Sequence, residues 1–416
     1  MSVREQIKTV LEKNGVSLRF NTFTDHIMVT TIDGQERIMD ELARGDIAMM
    51  IHDSKIKPSA LVSDAALLSI AHETKFHPVL SYLNSLTWDG KPRVGTWLVD
   101  YFGAANTVFE REVGKLFLIA AVRRVRRPGC KFDECLVLTG PEGIGKSSAV
   151  QILAGEWFAD NLPLGADAKE TVEQTQGVWI SESAELVGNS PTKVDKIKRF
   201  LGSIKDGPYR AAYARLPSEK LRQFVPVATT NEATFLFSNT GDRRFWPVDC
   251  RMADVRKLRL NRDQLWAEAA TLEAQGASIR LDAKHWDMAR AVQRRYGVED
   301  PWETRLTTMI NSGAKMTLAA IWSHFNIPIE KQTAADAKRI ATIMGKLGYK
   351  KERQTTEAGR TTVYARPNIM DSDNFDINPD TAEEDNDPEG AMTSADYEKM
   401  KAIEAELGDY DVEDYQ

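Results

Sequence analysis

Short apolar runs alternate with longer helical patterns through the middle of the chain. Three such runs are each followed at once by small or polar residues: 135–139, 178–180 and 224–228. A helical pattern at 108–126 precedes the first run and ends near a Pro-Gly pair. Because strands that alternate with helices in this way form parallel sheets, the pattern predicts an α/β domain over residues 101–275.

The two ends of the chain carry other patterns. Residues 1–100 combine an amphipathic helix at 3–13 with an Asp-Gly hairpin turn after an apolar run at 27–32, which predicts an N-terminal α+β domain. Residues 276–367 predict a helical linker and then two helices and a basic hairpin, the outline of a winged helix. Another kind of small α+β module is the alternative for this domain.

Charge is divided unevenly along the chain. The whole sequence has 61 acidic and 54 basic residues, for a net charge of −7. Residues 369–416 hold 17 of the acidic and 2 of the basic residues, so residues 1–368 carry a net charge of +8. We expect the basic part to attract nucleic acid. We expect residues 368–416 to be an acidic, disordered tail that either mimics DNA or recruits replication proteins.

The sequence lacks the signs of a membrane protein or a secreted protein. It has no apolar run of about 18 residues and no apolar stretch at its N-terminus, so no membrane partner is expected. Its three cysteines show no paired spacing, which speaks against a zinc ribbon or a disulfide framework. We therefore expect a cytoplasmic protein.

The sequence GPEGIGKS at 140–147 follows the first apolar run and precedes a helical pattern. This spacing is typical of a phosphate-binding loop, in which glycines turn backbone N–H groups toward phosphate oxygens at a helix N-terminus. Lys146 would contact the β and γ phosphates, and the Ser147 hydroxyl would hold Mg²⁺. The motif predicts ATP and Mg²⁺ as cofactors, bound by Gly140, Pro141, Glu142, Gly143, Ile144, Gly145, Lys146, Ser147 and Ser148. The alternative is a glycine-rich turn without a ligand.

Residues after the second and third apolar runs supply further catalytic candidates. Glu182 is placed to hold Mg²⁺ and to activate water, Glu185 is the second candidate, and the alternative for both is a solvated loop carboxylate. Asn231 could orient water or contact the γ-phosphate, although caps and turns also favour Asn. Arg243 and Arg244 could stabilise a transferring phosphoryl group, in cis or across a subunit interface, or merely stack on neighbouring aromatic rings.

Basic and aromatic residues are interleaved between 196 and 222. Such interleaving suits a groove or pore that follows a phosphate backbone and stacks bases, although a run of charges is more often a solvated face. The candidate DNA-binding residues are Lys205, Arg210, Tyr213, Arg215, Lys220 and Arg222.

Seven segments together resemble the virulence-associated protein E family: 86–90, 128–131, 140–147, 179–185, 206–213, 229–232 and 240–246. Proteins of this family are P-loop ATPases of phages, prophages and mobile elements, similar to superfamily-three helicases of the AAA+ class. The resemblance implies an AAA+-like parallel sheet and an Asn231 sensor for the γ-phosphate. It also implies that Arg243 or Arg244 acts on a neighbouring subunit of a hexameric ring, and that residues 205–222 form a DNA-contacting hairpin.

Two departures from the family pattern matter. The second apolar run ends in Ser181-Glu182 rather than in adjacent acids, which leaves Glu182 and Glu185 as alternative catalytic bases. The first 100 residues lack paired cysteines and an acidic triad, so primase activity is not expected. We expect an ATP-dependent helicase or translocase that acts on single-stranded or forked DNA in phage or mobile-element replication. An ATP-dependent DNA-binding switch without unwinding activity is the alternative.

Overall fold

The chain folds as two units in the computed structural model, one ending at Asp300 and the other beginning at Pro301. The structure describes residues 1–160, 162, 164–184, 191–209, 218–236, 242–297, 300–310, 315–356 and 359–366. Among these residues, no helix has both the length and the apolar character needed to cross a membrane.

A small α+β subdomain opens the first unit. Its elements in chain order are α1 (Val3–Lys13), β1 (Ser17–Asn21), β2 (His26–Thr30), β3 (Glu36–Ile38), α2 (Glu41–Asp53), α3 (Ala60–Ala71) and β4 (Lys75–Phe76). The strands form a sheet in the order β3-β2-β1-β4, in which β1 runs antiparallel to β2 and parallel to β4. The apolar stripe of α1 and α3 packs on this sheet through Ile7, Leu11 and Leu67, which are buried.

The rest of the first unit is built on a central parallel sheet. Its elements are α4 (Pro78–Ser85), α5 (Trp97–Phe102), α6 (Val108–Arg126), β5 (Cys135–Thr139), α7 (Lys146–Ala154), β6 (Phe158–Ala159), α8 (Ala168–Thr175), β7 (Ile180–Ala184), α9 (Pro191–Gly202), β8 (Lys205–Tyr209), β9 (Ser218–Leu221), β10 (Val225–Thr230), β11 (Phe245–Asp249), α10 (Val255–Ala274) and α11 (Trp286–Arg295). The sheet order is β11-β5-β10-β7-β6, and every neighbouring pair is parallel. The expected parallel sheet flanked by helices is therefore confirmed.

Buried side chains on both faces explain why these runs form strands of a central sheet. Every residue of β5 and of β10 is buried, as expected for parallel strands that are covered by helices on both sides. The indole N–H of Trp179 donates to the Ala121 carbonyl at 2.8 Å, and the indole ring packs on Trp266 with centroids 4.1 Å apart. These contacts hold α6 and α10 against the sheet.

Residues 276–297 pack within the first unit and do not form a linker. Helix α11 lies beside β11, where the Gln293 side chain donates to the Phe245 carbonyl at 2.8 Å. The backbone N–H groups of Phe235 and Leu236 both donate to the Tyr296 carbonyl at 3.0 Å. The sequence pattern after residue 276 predicted a linker. The residues that this segment contacts, on β11 and after β10, lie too far away in the sequence for a local pattern to reveal them.

In its described residues, the second unit contains three α-helices and a small sheet. Its elements are α12 (Pro301–Ile310), β12 (Met316–Thr317), α13 (Leu318–His324), α14 (Ala334–Lys346), β13 (Lys350–Thr356) and β14 (Gly359–Ala365). The antiparallel sheet has the order β12-β14-β13. Ile321, Ile340, Met344 and Tyr364 form its core, and the Thr333 hydroxyl caps α14 by accepting the Asp336 N–H at 3.1 Å.

Candidate nucleotide-binding site

Residues 140–145, called the phosphate loop below, connect β5 to α7. Gly140 has φ +136° there, and a Cβ at this position would lie 2.2 Å from the Cys250 carbonyl oxygen. No side chain with a Cβ fits, so the loop depends on glycine at this point. The N-cap of α7 is Gly145, which provides no side-chain hydrogen bond. The first N–H groups of α7 are therefore left for an anion.

Lys146 lies in the mouth of the loop. Its ammonium group donates to the Gly140 and Pro141 carbonyl oxygens, each at 2.8 Å, and only 9% of the residue is exposed. The side chains of Pro141, Glu142 and Ser148 are exposed around it. The structure thus places a lysine charge where phosphates would meet the N-terminus of α7.

A segment that the sequence did not single out braces the loop from behind. The Ala253 N–H donates to the Ile144 carbonyl at 2.9 Å, and the Cys250 N–H donates to the Thr139 carbonyl at 2.8 Å. Burial raises the pKa of the Cys250 thiol to about 12, so it stays neutral at physiological pH. Residues 250–253 therefore support the loop through backbone hydrogen bonds.

Glu182 meets the loop across the sheet. The residue is fully buried on β7, and its Oε1 accepts hydrogen bonds from the hydroxyls of Ser147 at 2.6 Å and Thr229 at 2.5 Å. Thr229 belongs to β10, the strand between β5 and β7. Helix α7 and strand β10 therefore contact the same carboxylate on β7, toward the carboxyl ends of the strands, where α/β sheets bind ligands.

The second carboxylate oxygen of Glu182 has no partner. Its Oε2 is buried and forms no hydrogen bond within the part of the chain that the structure describes. A buried unpaired carboxylate oxygen is costly and indicates a place for a cation or water. Carboxylate and hydroxyl oxygens are ligands that Mg²⁺ accepts. The described residues contain no cluster of three His, Cys, Asp or Glu side chains, so a cation here would need further ligands from phosphate and water.

Two other predicted site residues follow the ends of β10 and β7 in the sequence. Asn231 follows β10 directly and is exposed. Glu185 follows β7 but lies outside the described residues. Thr229 was not among the predicted site residues, although a hydroxyl in an otherwise apolar strand was the available signal.

The arginines expected to act on phosphate lie at the opposite edge. Arg243 and Arg244 belong to a short 3₁₀ helix that leads into β11, and β11 pairs Phe245 with Cys135 at the start of β5. The phosphate loop begins after the other end of β5, about 13 Å away for a five-residue strand. Arg244 Nε lies 3.4 Å from an Asp133 carboxylate oxygen, whereas Arg243 is exposed. In a single chain these arginines do not meet Lys146.

The predicted DNA-binding residues divide into two groups. Arg210, Tyr213 and Arg215 lie outside the described residues. Of the other three, Lys205 is in β8, Lys220 is in β9 and Arg222 follows β9 directly. Each is paired within the chain: Lys205 with Glu219 at 2.8 Å, Lys220 with Asp25 at 2.7 Å, and Arg222 with Asp206 at 2.7 and 2.5 Å.

Arg222 is the clearest change from the sequence-based expectation. Its guanidinium group is buried in a two-point pair with Asp206 and lies over the Phe200 ring, 4.3 Å from the centroid. Lys220 is also mostly buried, with 15% of its side chain exposed. In this structure both cations hold the hairpin to the body of the unit and are not presented to a DNA backbone.

Comparison with known proteins shows the family to which this chain belongs. The virulence-associated protein E-like domain matches residues 83–298, which span the central sheet and α11. The chain belongs to the virulence-associated protein E-like family. The resemblance drawn from the sequence motifs is therefore confirmed. No curated protein matches the chain.

Solved structures with a similar fold exist. The apo structure of the NrS-1 C-terminal region (305–718) is 10% identical and aligns with a TM-score of 0.51, covering 88% of this chain and all of that one. The A form apo structure of the same region is also 10% identical, with a TM-score of 0.47, 87% of this chain and 99% of that one. At this identity the first of these supports a shared fold and nothing further.

Proposed function

We propose that this protein of the virulence-associated protein E-like family is an ATPase that drives a DNA helicase or translocase in phage or mobile-element replication. The observation that carries the proposal is the convergence of Lys146, Ser147 and Glu182 at the carboxyl edge of the sheet. A phosphate loop alone would support nucleotide binding. The buried Glu182 carboxylate, which accepts a hydrogen bond from Ser147, supports hydrolysis. Hydrolysis needs a metal ligand and an acceptor for a proton from water.

The residues divide the chemistry between them. Loop N–H groups and Lys146 would bind the β and γ phosphates of ATP, while Ser147 and Glu182 would hold Mg²⁺. Bound Mg²⁺ would neutralise charge on the phosphates. Glu182, or Glu185 beyond the described residues, would accept a proton from the attacking water. Asn231 would sense the γ-phosphate from the end of β10.

The site needs a second subunit in this proposal. Arg243 and Arg244 lie at the far edge of the sheet, so they would stabilise phosphoryl charge on a neighbouring subunit's ATP. This arrangement supports a ring, which we propose to be hexameric. Arg210, Tyr213 and Arg215, which lie between β8 and β9 in the sequence, would then contact single-stranded or forked DNA in the channel.

The second unit and the acidic tail have proposed roles of their own. The order of helix, strand, two helices and hairpin in residues 301–366, together with the sheet order β12-β14-β13, supports a winged helix. The tail would recruit replication proteins through its charge. We expect the protein to work in the cytoplasm of a bacterial host.

One observation favours a second candidate function. The three described cations of the hairpin segment, Lys205, Lys220 and Arg222, are all engaged in ion pairs within the chain. A hairpin held to the body of its unit suits a DNA-binding switch that uses ATP without unwinding DNA.

Two assays test these functions in order. ATP turnover is measured with Mg²⁺ and with excess chelator, where we expect hydrolysis only with Mg²⁺. Strand displacement is then measured on a forked duplex with each 3′ and 5′ tail. Displacement supports the helicase, whereas DNA-stimulated hydrolysis without displacement supports the switch. Failure to hydrolyse ATP under any of these conditions contradicts both.

A further inference from the structure

A cationic cleft opens at the amino edge of the central sheet, on the side away from the phosphate loop. Its volume is about 410 Å³, which is the size of a small-ligand pocket. We call it the arginine cleft, because it is lined by Arg243, Arg244, Arg280 and Arg290, beside Trp286. All of these residues belong to the first unit.

The positive charge in the arginine cleft is only partly balanced. Arg244 faces Asp133, and Arg290 pairs with Asp287. Arg243 and Arg280 are exposed, and neither forms an ion pair with a carboxylate of the described residues. Such unpaired guanidinium groups around a concave surface favour a multiply charged anion.

The acidic residues that line the arginine cleft neutralise little of its remaining positive charge. Burial, together with the neighbouring Asp133 charge, raises the pKa of Glu134 to about 7. Part of the Glu134 population is therefore neutral near neutral pH. Five cations, including Lys131, thus face Asp133 and a half-ionised Glu134.

The anion cannot be the nucleotide on the same chain's phosphate loop. The length of β5 separates the two edges by about 13 Å. Trp286 indicates what approaches instead. It is 54% exposed, and its indole N–H donates to the Leu281 carbonyl at 3.3 Å, which fixes the ring at the mouth of the cleft. Exposed tryptophans beside arginines are typical of the centres of protein interfaces.

We propose that the arginine cleft receives the polyphosphate of ATP held by the phosphate loop of a second copy of this chain. Arg280 is then a contact to that nucleotide in addition to Arg243 and Arg244, and Trp286 packs against the second copy. This inference rests on the proposed ATPase function. It adds a residue, Arg280, from a part of the chain that no sequence motif marks.

The test compares full-length Arg280→Ala with the wild-type protein and with Arg295→Ala, which removes an exposed α11 cation outside the cleft. Because an arginine on the transferring phosphate acts mainly in the transition state, we expect Arg280→Ala to lower kcat by about tenfold. Binding of a fluorescent ATP analogue should change by less than about twofold, since the phosphate loop is intact. Arg295→Ala should match the wild type.

Mixing subunits separates action across an interface from damage within one chain. Arg280→Ala subunits have an intact loop, and Lys146→Ala subunits have an intact cleft. We expect the mixture to turn over ATP faster than either variant alone. Wild-type kcat for Arg280→Ala, or a mixture no faster than its parts, would overturn the inference.

Two further results have distinct meanings. If Arg280→Ala keeps its DNA-free kcat but loses binding of fluorescent single-stranded DNA, the cleft binds nucleic acid and the inference is overturned. If the wild-type protein does not hydrolyse ATP at all, the proposed function fails first. Hydrolysis that requires Lys146 but not Arg280 leaves the proposed function standing and removes only the inference.

Discussion

The two edges of the central sheet differ in how complete they are within one chain. At the carboxyl edge, Lys146 and Glu182 are buried and already hydrogen-bonded to the loop, to Ser147 and to Thr229. At the amino edge, Arg243 and Arg280 are exposed and carry charge without a carboxylate partner among the described residues. The charged groups of the carboxyl edge are thus hydrogen-bonded within the chain, whereas the amino edge keeps two cations that no described carboxylate neutralises.

Lys146→Ala should have the largest effect, because it removes the buried cation of the carboxyl edge. We expect ATP turnover to fall by about a thousandfold or more, as for the loss of a main electrostatic contact to the transferring phosphoryl group. A colorimetric phosphate assay measures this. Lys169→Ala, an exposed lysine on α8, is the matched control and should leave turnover unchanged. Turnover retained by Lys146→Ala would contradict the assignment of this edge.

Glu182→Gln should separate binding from hydrolysis at the same edge. The amide keeps the shape and can still accept hydrogen bonds from Ser147 and Thr229, but it cannot carry the negative charge or accept a proton. We expect turnover about a hundredfold lower, with ATP still retained on the protein in a filter-binding assay. Normal turnover by this variant would move the role of catalytic base to Glu185.

Arg243→Ala and Arg244→Ala probe the amino edge and compare an exposed arginine with one that faces Asp133. If the amino edge serves a neighbour, each should lower turnover by at least about tenfold while ATP binding is kept. Mixing each variant with Lys146→Ala should restore part of the activity. A loss that mixing cannot restore, together with a lower melting temperature, would make the arginine a structural residue of its own chain.

Glu134→Gln should have the smallest effect on ATP turnover, and its effect should be seen in folding stability instead. The pKa of Glu134 is about 7 in the folded chain against an ordinary 4.5, so the folded state holds this proton more tightly. Folding stability should therefore fall as pH rises from about 4.5 to about 7, because the unfolded chain releases the proton first. Glu134→Gln should remove this loss of stability at higher pH, because its amide does not ionise.

We expect Glu134→Gln to raise the free energy of unfolding relative to the wild type by about 3 kcal/mol at pH 8 and to leave it nearly unchanged at pH 4. Urea unfolding followed by tryptophan fluorescence at the two pH values measures it, with Glu142→Gln as an exposed acidic control. An equal effect of Glu134→Gln at both pH values would mean that packing, and not ionisation, is responsible.

Some of these features follow from local sequence alone. The phosphate loop could be predicted because its glycines, its lysine and its serine are adjacent, and because backbone geometry at Gly140 allows no other residue. The strands β5 and β10 could be predicted because strands buried on both faces favour apolar runs, whereas the apolar run at 178–180 shares only Ile180 with β7. Membership of the family followed from the same ordered motifs.

Other features depend on partners far apart in the chain. Lys220 and Arg222 look like free cations in the sequence, but Asp25 and Asp206 neutralise them in the fold. Thr229 joins the site because β10 is inserted between β5 and β7, an order that no local pattern encodes. Arg280 faces Arg243 only because residues 276–297 return to the edge of the sheet.

The sequence by itself determined the residues that bend around a phosphate, since that chemistry is set by neighbours within eight positions of the chain. Only the tertiary structure decided which charges are neutralised and which remain for a ligand. Charge neutralisation acts through space over a few ångströms, and the chain brings such pairs together from positions up to 195 residues apart.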